Sequence, residues 1–256
     1  MASLASRPLA PASALDRDDS ISQTPAVDLI LFDIDETLTH SQTIDGEIYL
    51  DSLAEVFGFT NVASDWSEYK HTTDVGILHE IFEVRLGRVP MPEEVSAFRT
   101  HFVDAISVAA AQMPFRQIDG ASRMLKHLAK SPSHAVGLAT GGWGDSARCK
   151  MRSAGMDYDA FPAASADDAM SRASIMQMAI ERVTAHVGGL RPDTIVYVGD
   201  GIWDARAYRQ LNLPFVGIAA GPHAERLRAE GARAVFSDYS DITEFCAALA
   251  RAREPI

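Results

Sequence analysis

The segment LILFDIDETLTH, residues 29–40, joins an apolar strand pattern to a group of acids. Its first four residues are apolar, as expected of a buried strand, and Asp33, Asp35 and Glu36 follow at once. Asp33 and Asp35 are separated by one residue, so in an extended chain their side chains lie on the same side. Two carboxylates about 4 Å apart repel each other by about 4 kcal/mol at an effective dielectric constant of about 20. A bound cation would reverse the sign of this interaction.

The rest of the chain alternates short apolar runs with amphipathic segments. Buried strands alternating with helices predict an α/β fold with a doubly wound parallel sheet, in which ligands bind beyond the carboxyl ends of the strands. The predicted strands are 27–34, 135–140, 194–198 and 214–219, and the predicted helices around them are 121–130, 145–154, 171–187, 205–211 and 242–250.

Residues 41–115 interrupt this alternation. They have the pattern of three helices, at 47–57, 74–86 and 92–111, and the last of these carries Val95, Phe98, Phe102 and Ile106 on one face. A helical block of this length exceeds an ordinary crossover and predicts an inserted domain over the end of the first strand. The predicted division is a disordered tail at 1–25, a core at 26–40 and 116–256, and the helical insert at 41–115.

Composition excludes several classes of function. With 23 basic and 35 acidic residues the formal net charge is −12, which argues against nucleic-acid binding. The sequence contains no apolar run long enough to span a membrane and no apolar core of a secretory signal. Its two cysteines cannot form a disulfide framework, so we expect a cytoplasmic location. No pattern predicts an oligomeric state.

A second apolar run, VYVGDGIWD at residues 196–204, also ends in acids, Asp200 and Asp204. The carboxyl ends of parallel strands lie at one edge of the sheet, so these acids can converge with Asp33 and Asp35. Oxygen ligands without nearby thiolates or a histidine pair favour Mg²⁺ over zinc. Magnesium held by few carboxylates takes a further ligand from a substrate phosphate, which predicts a phosphorylated small molecule as the partner.

Two other segments offer groups that bind phosphate. Thr140, Gly141 and Gly142 precede a predicted helix, and Arg172 lies in the first turn of another, after Ser171 as its N-cap. Each feature alone is more often structural: a turn, a solvated cation, or for Asp204 a helix cap. The four elements in chain order, each at a strand end or a helix start, favour a single site.

This ordered set resembles the haloacid dehalogenase superfamily, in its phosphatase branch. The resemblance spans roughly residues 27–245, the insert takes the place of the family's helical cap, and TTD at 72–74 resembles a cap segment of phosphoglycolate-phosphatase-like members. Two residues depart from the pattern: Glu36 stands where most members have Gly, and Arg172 replaces the commoner Lys. The matching residues are Asp33, Asp35 and Thr37 of the first motif, Thr140 of the second, Arg172 of the third, and Asp200 and Asp204 of the fourth.

The resemblance implies a Mg²⁺-dependent phosphatase acting on a small soluble phosphate monoester, phosphoglycolate-like or a sugar phosphate. Asp33 would be the nucleophile that forms an aspartyl-phosphate, and Asp35 the general acid and base. Asp33, the Asp35 backbone carbonyl and Asp200 would hold the metal. Thr140, the Gly141 amide and Arg172 would bind the phosphate, with Thr37 and Asp204 in support.

Other functions of the same fold stay open. A phosphohexose mutase uses the same catalytic residues and returns the phosphate to the sugar. An inactive scaffold is less favoured, since every acid is present. A dehalogenase does not need Asp35, and a phosphonatase needs a Schiff-base lysine from the insert, where Lys70 is the only lysine. Lys70, His71 and Asp74 are candidate contacts from the insert.

Overall fold

The computed structural model describes residues 27–189 and 192–252 and has a parallel sheet of six strands at its centre. The predicted tail at 1–25 lies outside the described residues. The strand order is β5-β4-β1-β6-β7-β8, so the first strand lies in the middle, between β4 and β6. The strands are β1 (Asp28–Phe32), β4 (His134–Ala139), β5 (Ala163–Ala164), β6 (Thr194–Gly199), β7 (Phe215–Ile218) and β8 (Ala234–Phe236).

Helices cover both faces of this sheet, as the alternation of side chains along β1 requires. Ile30 and Phe32 join a hydrophobic cluster with α4 (Ala121–Lys130), α5 (Gly144–Ser153) and α9 (Ile242–Ala252). Leu29 and Leu31 join the opposite cluster with α6 (Arg172–His186), α7 (Ile202–Leu211) and α8 (Gly221–Ala229). The predicted doubly wound α/β fold is confirmed.

The insert contains three helices, α1 (Gln42–Phe57), α2 (Asp74–Leu86) and α3 (Pro92–Gln112). It lies between two short strands, β2 (Thr39–His40) and β3 (Arg116–Gln117), which pair antiparallel. Phe98, Phe102 and Ile106 of α3 are fully buried, as the sequence predicts. Tyr49 and Phe102 contact Trp143 of the core through their rings, so one hydrophobic cluster runs from the insert into the core. The domain boundaries at 40/41 and 115/116 remain our proposal.

Helix α1 begins at Gln42, five residues before the predicted start, because its cap is not local. The side chain of Ser41, the N-cap residue, makes no capping hydrogen bond. Instead one Glu36 carboxylate oxygen accepts from the backbone N–H groups of Ser41 at 2.8 Å and Gln42 at 3.0 Å. Glu36 has a φ of 51°, in the left-handed region that favours glycine. Its carboxylate caps the N-terminus of α1, which explains why a glutamate occupies this position.

The sequence did not predict the two edge strands, β5 and β8, or helix α8. Two or three residues are too few for a periodic pattern, so β5 and β8 are strands only because the neighbouring strand supplies hydrogen bonds. Among the described residues, no helix is both long and apolar enough to cross a bilayer.

Candidate active site

Three neighbouring strands deliver the predicted residues to one edge of the sheet. Asp33 follows β1, Thr140 follows β4 and Asp200 follows β6, and β1 is hydrogen-bonded to both of the other strands. Arg172 is the first residue of α6, and Ser171 caps this helix as predicted by accepting from the Ser174 N–H. Asp33, Asp35, Arg172 and Asp200 all line one cavity beneath the insert.

We call Asp33, Arg172, Asp200 and Asp204 the core cluster. The Arg172 guanidinium donates through Nη1 to Asp33 Oδ1 at 2.8 Å and to Asp204 Oδ1 at 3.1 Å. Burial raises the pKa of Asp33 to about 7, with Asp204 and Asp35 adding to the increase and Arg172 opposing it. Burial, together with Asp204 and Asp33, also raises the pKa of Asp200 well above its ordinary value. The cluster therefore has an excess of negative charge that one arginine does not offset.

The donor set of the core cluster fits a hard divalent cation. Oxygen atoms of Asp33, Asp200 and Asp204 lie within 4.8 Å of one another. Asp204 is satisfied by protein donors, Arg172 and the Tyr197 hydroxyl at Oδ1 and the Gly201 N–H at Oδ2. Within residues 27–189 and 192–252, the Asp200 carboxylate makes no hydrogen bond or ion pair, and the Asp35 backbone carbonyl accepts no backbone hydrogen bond. Free oxygens of Asp33, Asp200 and this carbonyl suit Mg²⁺.

A second buried cation, Lys150, was missed by sequence reasoning. Its Nζ lies 2.6 Å from Asp35 Oδ1 and 2.8 Å from Asp45 Oδ1, and its side chain is 0% exposed. Ser41 also donates to Asp35 Oδ1, at 2.5 Å. We call Asp35, Asp45, Asp74 and Lys150 the cap-side cluster, because Lys150 belongs to α5 of the core and Asp45 to α1 of the insert.

A signal for Lys150 was present in the sequence. Ala147, Lys150 and Met151 all lie on the buried face of α5 at helical spacing, and a lysine within an apolar face requires a buried partner. The partner carboxylates come from segments more than a hundred residues earlier in the chain, and local periodicity contains no information about them.

The carboxyl groups of the cap-side cluster differ in the direction of their pKa shifts. Burial raises the pKa of Asp35, but the Lys150 ammonium and the hydrogen bonds from Lys150 and Ser41 outweigh it, and the net pKa is lowered. Burial raises the pKa of Asp45 to about 6 and that of Asp74 well above its ordinary value. Burial lowers the pKa of Lys150, but Asp35, Asp45 and Asp74 together raise it. The ionised form of Asp35 is thus favoured beside the Lys150 ammonium.

The TTD segment fastens the insert to the core around the cavity. Each of its three residues makes a hydrogen bond across this boundary. The bonds are Arg172 Nε to the Thr72 carbonyl at 3.1 Å, Thr73 Oγ1 to the Met170 carbonyl at 2.7 Å, the Asp74 N–H to the Gly141 carbonyl at 2.8 Å, and the Trp143 N–H to Asp74 Oδ2 at 2.8 Å. Of the three predicted contacts from the insert, Asp74 lines the cavity, and Lys70 and His71 do not.

The remaining predicted residues, Gly141, Thr140 and Thr37, are buried. Gly141 lines the cavity, and a Cβ there would lie 2.8 Å from Arg172 Nη2, so a larger residue would displace the guanidinium. Thr140 is buried behind it, with its hydroxyl accepting from the Gly142 N–H at 3.1 Å. Thr37 is fully buried in the turn after β1, and its hydroxyl has no partner among the described residues.

Three aromatic residues of the cavity were also missed, namely Tyr49, Trp66 and Trp203. Tyr49 donates from its hydroxyl to the Asp74 carbonyl at 2.7 Å, and its ring packs against Trp66. The indole Nε1 of Trp203 is buried and has no hydrogen-bond partner among the described residues. Aromatic residues at these positions follow no pattern that sequence reasoning can separate from a hydrophobic core.

Comparison with solved structures supports the fold. A hydrolase from Pseudomonas syringae is 20% identical with a TM-score of 0.66, covering 87% of this chain and 98% of that one. A putative β-phosphoglucomutase from Bacteroides vulgatus is 18% identical, with a TM-score of 0.65 and coverages of 91% and 93%. CbbY from Rhodobacter sphaeroides, solved with xylulose-1,5-bisphosphate, is 14% identical, with a TM-score of 0.65 and coverages of 84% and 96%.

No curated protein matches the sequence. The family comparison is informative, because the haloacid dehalogenase-like hydrolase family matches residues 27–212, which is most of the chain and includes every predicted site residue. The chain belongs to the haloacid dehalogenase-like hydrolase family.

Proposed function

We propose that this hydrolase is a Mg²⁺-dependent phosphatase acting on a small soluble phosphate monoester through an aspartyl-phosphate intermediate. The observation that carries the proposal is the core cluster, in which Asp33 and Asp200 carry free oxygens beside an arginine fixed 2.8 Å from Asp33. Mg²⁺ held by Asp33, Asp200 and the Asp35 carbonyl would offset the repulsion between nucleophile and phosphate. We keep the cytoplasmic location predicted from the sequence as part of the proposal.

In the first step one oxygen of the Asp33 carboxylate attacks phosphorus. Arg172 keeps this carboxylate oriented, and its Nη2, which makes no hydrogen bond to the described residues, is free for a phosphate oxygen. The Gly141 N–H and the Thr140 hydroxyl supply further donors. Asp35 acts here in its protonated form: it gives its proton to the leaving alcohol and becomes the carboxylate that the second step uses.

In the second step Asp35 removes a proton from the water that hydrolyses the aspartyl-phosphate. The ion pair with Lys150 favours the ionised form of Asp35, which is the form this step needs. The insert, fastened through residues 72–74, excludes bulk water while the intermediate exists. Lys150 pairs with Asp45 of the insert and with Asp35, the general acid and base. It therefore couples closure of the insert to the position of Asp35.

The test is hydrolysis of p-nitrophenyl phosphate with Mg²⁺, followed by borohydride trapping of the acyl phosphate and mass spectrometry. We expect turnover in the wild type, a reduced adduct at Asp33, and a loss of at least about 10³-fold in kcat for Asp33→Asn. Near-normal turnover by this variant would exclude Asp33 as the nucleophile. Inactivity of the wild type with every divalent metal would instead favour the scaffold alternative.

The phosphohexose mutase remains the second candidate, since a putative β-phosphoglucomutase has the same fold. A mutase converts a hexose 1-phosphate into the 6-phosphate, whereas a phosphatase releases inorganic phosphate. Product analysis with a hexose 1-phosphate separates the two.

A further inference from the structure

The cavity that would receive the leaving alcohol has an unbalanced charge. Among the described residues that line it, five are acidic and only one, Arg172, is basic. Water-sized groups have about 70 Å³ of space in it, which is room for roughly five such groups. The acidic residues are Asp33, Asp35, Asp45, Asp74 and Asp200.

Both cations near the cavity already have partners. Arg172 is held by Asp33, Asp204 and the Thr72 carbonyl, and its free donors face the phosphate position beside Gly141. Lys150 is fully buried behind the cavity and lies against Asp35 and Asp45. In the described part of the chain, no basic side chain lines the region between Asp45 and Asp74, where the alcohol would lie.

The other groups on this side are neutral. They include Gln42, which is partly exposed at the start of α1, and the aromatic residues Tyr49, Trp66 and Trp203. Carboxylates and aromatic faces accept hydrogen bonds or attract positive edges and cations, and they do not neutralise an anion. This holds whether Asp74 is ionised or, given its raised pKa, protonated.

We propose, on the basis of the function proposed above, that the alcohol part of the substrate bears no negative charge and presents hydroxyl or ammonium donors to Asp45 and Asp74. A second anion would enter a buried acidic site whose neighbouring cation, Lys150, is already paired with Asp35 and Asp45. Within the two substrate types considered above, this selects the sugar-phosphate type, a neutral polyol phosphate, over a phosphoglycolate-like substrate.

The experiment compares three phosphate esters of nearly equal size: 2-hydroxyethyl phosphate, O-phosphoethanolamine and 2-phosphoglycolate. Glycerol 3-phosphate and 3-phosphoglycerate form a second pair. Each is measured as a substrate and as a competitor of p-nitrophenyl phosphate hydrolysis, so that a slow substrate still gives an affinity. We expect the neutral and cationic esters to exceed the anionic ones by about 100-fold in kcat/KM, or in affinity as competitors.

The ratio of kcat/KM for 2-hydroxyethyl phosphate to that for O-phosphoethanolamine then shows whether the site prefers a hydroxyl or an ammonium donor. If the anionic esters are equal or better, this proposal is wrong and the proposed function stands. If p-nitrophenyl phosphate and every ester are inert, the proposed function itself fails.

A charge change on the cavity tests the physical cause. Gln42→Lys adds a cation on the alcohol side, and Gln42→Met is the matched control of similar size. We expect Gln42→Lys to shift the ratio of anionic to neutral esters by about 10-fold toward the anionic esters, and Gln42→Met to leave the ranking unchanged. An unaltered ratio in Gln42→Lys would show that charge in the lining does not set the selectivity.

Discussion

Residues 27–189 and 192–252 contain two buried clusters of carboxylates around one cation each. The two clusters differ in the segments that supply their residues and in the charges that balance their carboxylates. The core cluster is built from strand ends and a helix start of one fold unit, and its arginine opens onto the cavity with 13% of its side chain exposed. The cap-side cluster joins two units, and its lysine is fully buried. A divalent ion can complete the first cluster, whereas the second has only Lys150. The clusters should therefore respond differently to loss of their cation and to Mg²⁺.

Removal of each cation gives the largest expected contrast. We expect Arg172→Met to lower kcat by about 10²–10³-fold, because a donor to the transferred phosphoryl group is lost. Its stability in Mg²⁺ should change less, since the metal can balance Asp33 and Asp200. Lys150→Met should lose about 3–5 kcal/mol of unfolding free energy with or without Mg²⁺, because buried carboxylates remain unpaired. Kinetics and urea denaturation measure the two effects.

The double variant Lys150→Met/Asp45→Asn is the control for this contrast. It removes the charge from one of the carboxylates as well, so it should be more stable than Lys150→Met alone. A Lys150→Met protein as stable as the wild type, or one rescued by Mg²⁺, would contradict the assignment of Lys150 to a separate cluster.

The pH dependence of the unfolding free energy should also reveal the two clusters, because their buried carboxyl groups have shifted pKa values. Without metal, the pKa values of Asp33 and Asp45 are about 7 and about 6, above their ordinary value. A carboxyl group with a raised pKa binds more protons in the folded chain, so stability is lost as pH rises from about 4 through the folded-state pKa. Asp35 has a lowered pKa, so it stabilises the folded chain above the pKa of an unfolded carboxyl group. Its contribution therefore does not change as pH rises further through the pKa values of Asp33 and Asp45.

Thermal or urea unfolding in EDTA should consequently give a lower unfolding free energy at about pH 8 than at about pH 5.5. Mg²⁺ should recover stability at the higher pH, because it binds ionised Asp33 and Asp200. Asp200→Asn should show a smaller pH slope and little gain from Mg²⁺. Stability that rises across this range in EDTA would contradict the direction of the pKa shifts.

The smallest effect is expected at Glu36. Glu36→Ala loses the carboxylate that accepts from the first N–H groups of α1 and keeps a left-handed backbone, so we expect a loss of about 1 kcal/mol. Glu36→Gly loses the same carboxylate but accepts the backbone conformation without strain, so its change should be smaller. Urea denaturation of both variants measures the difference, and a more damaging Gly than Ala would contradict this explanation.

The two clusters also show what could be predicted from sequence. Asp33, Arg172 and Asp200 were predicted to meet because apolar strands of a parallel sheet bring their ends to one edge, whatever the details of packing. Lys150 and Asp45 meet only when the insert docks on the core, which no local period encodes. The start of α1 was misplaced for a related reason, since its cap comes from Glu36 across a turn.

The central claim is that Asp33 and Asp200 hold a divalent ion at the carboxyl end of the sheet. Calorimetric titration of Mg²⁺ into the wild type, Asp200→Asn and Asp45→Asn tests it directly. We predict one ion per chain in the wild type and in Asp45→Asn, and binding weakened by at least about 100-fold in Asp200→Asn. Equal binding by Asp200→Asn and the wild type would contradict the account.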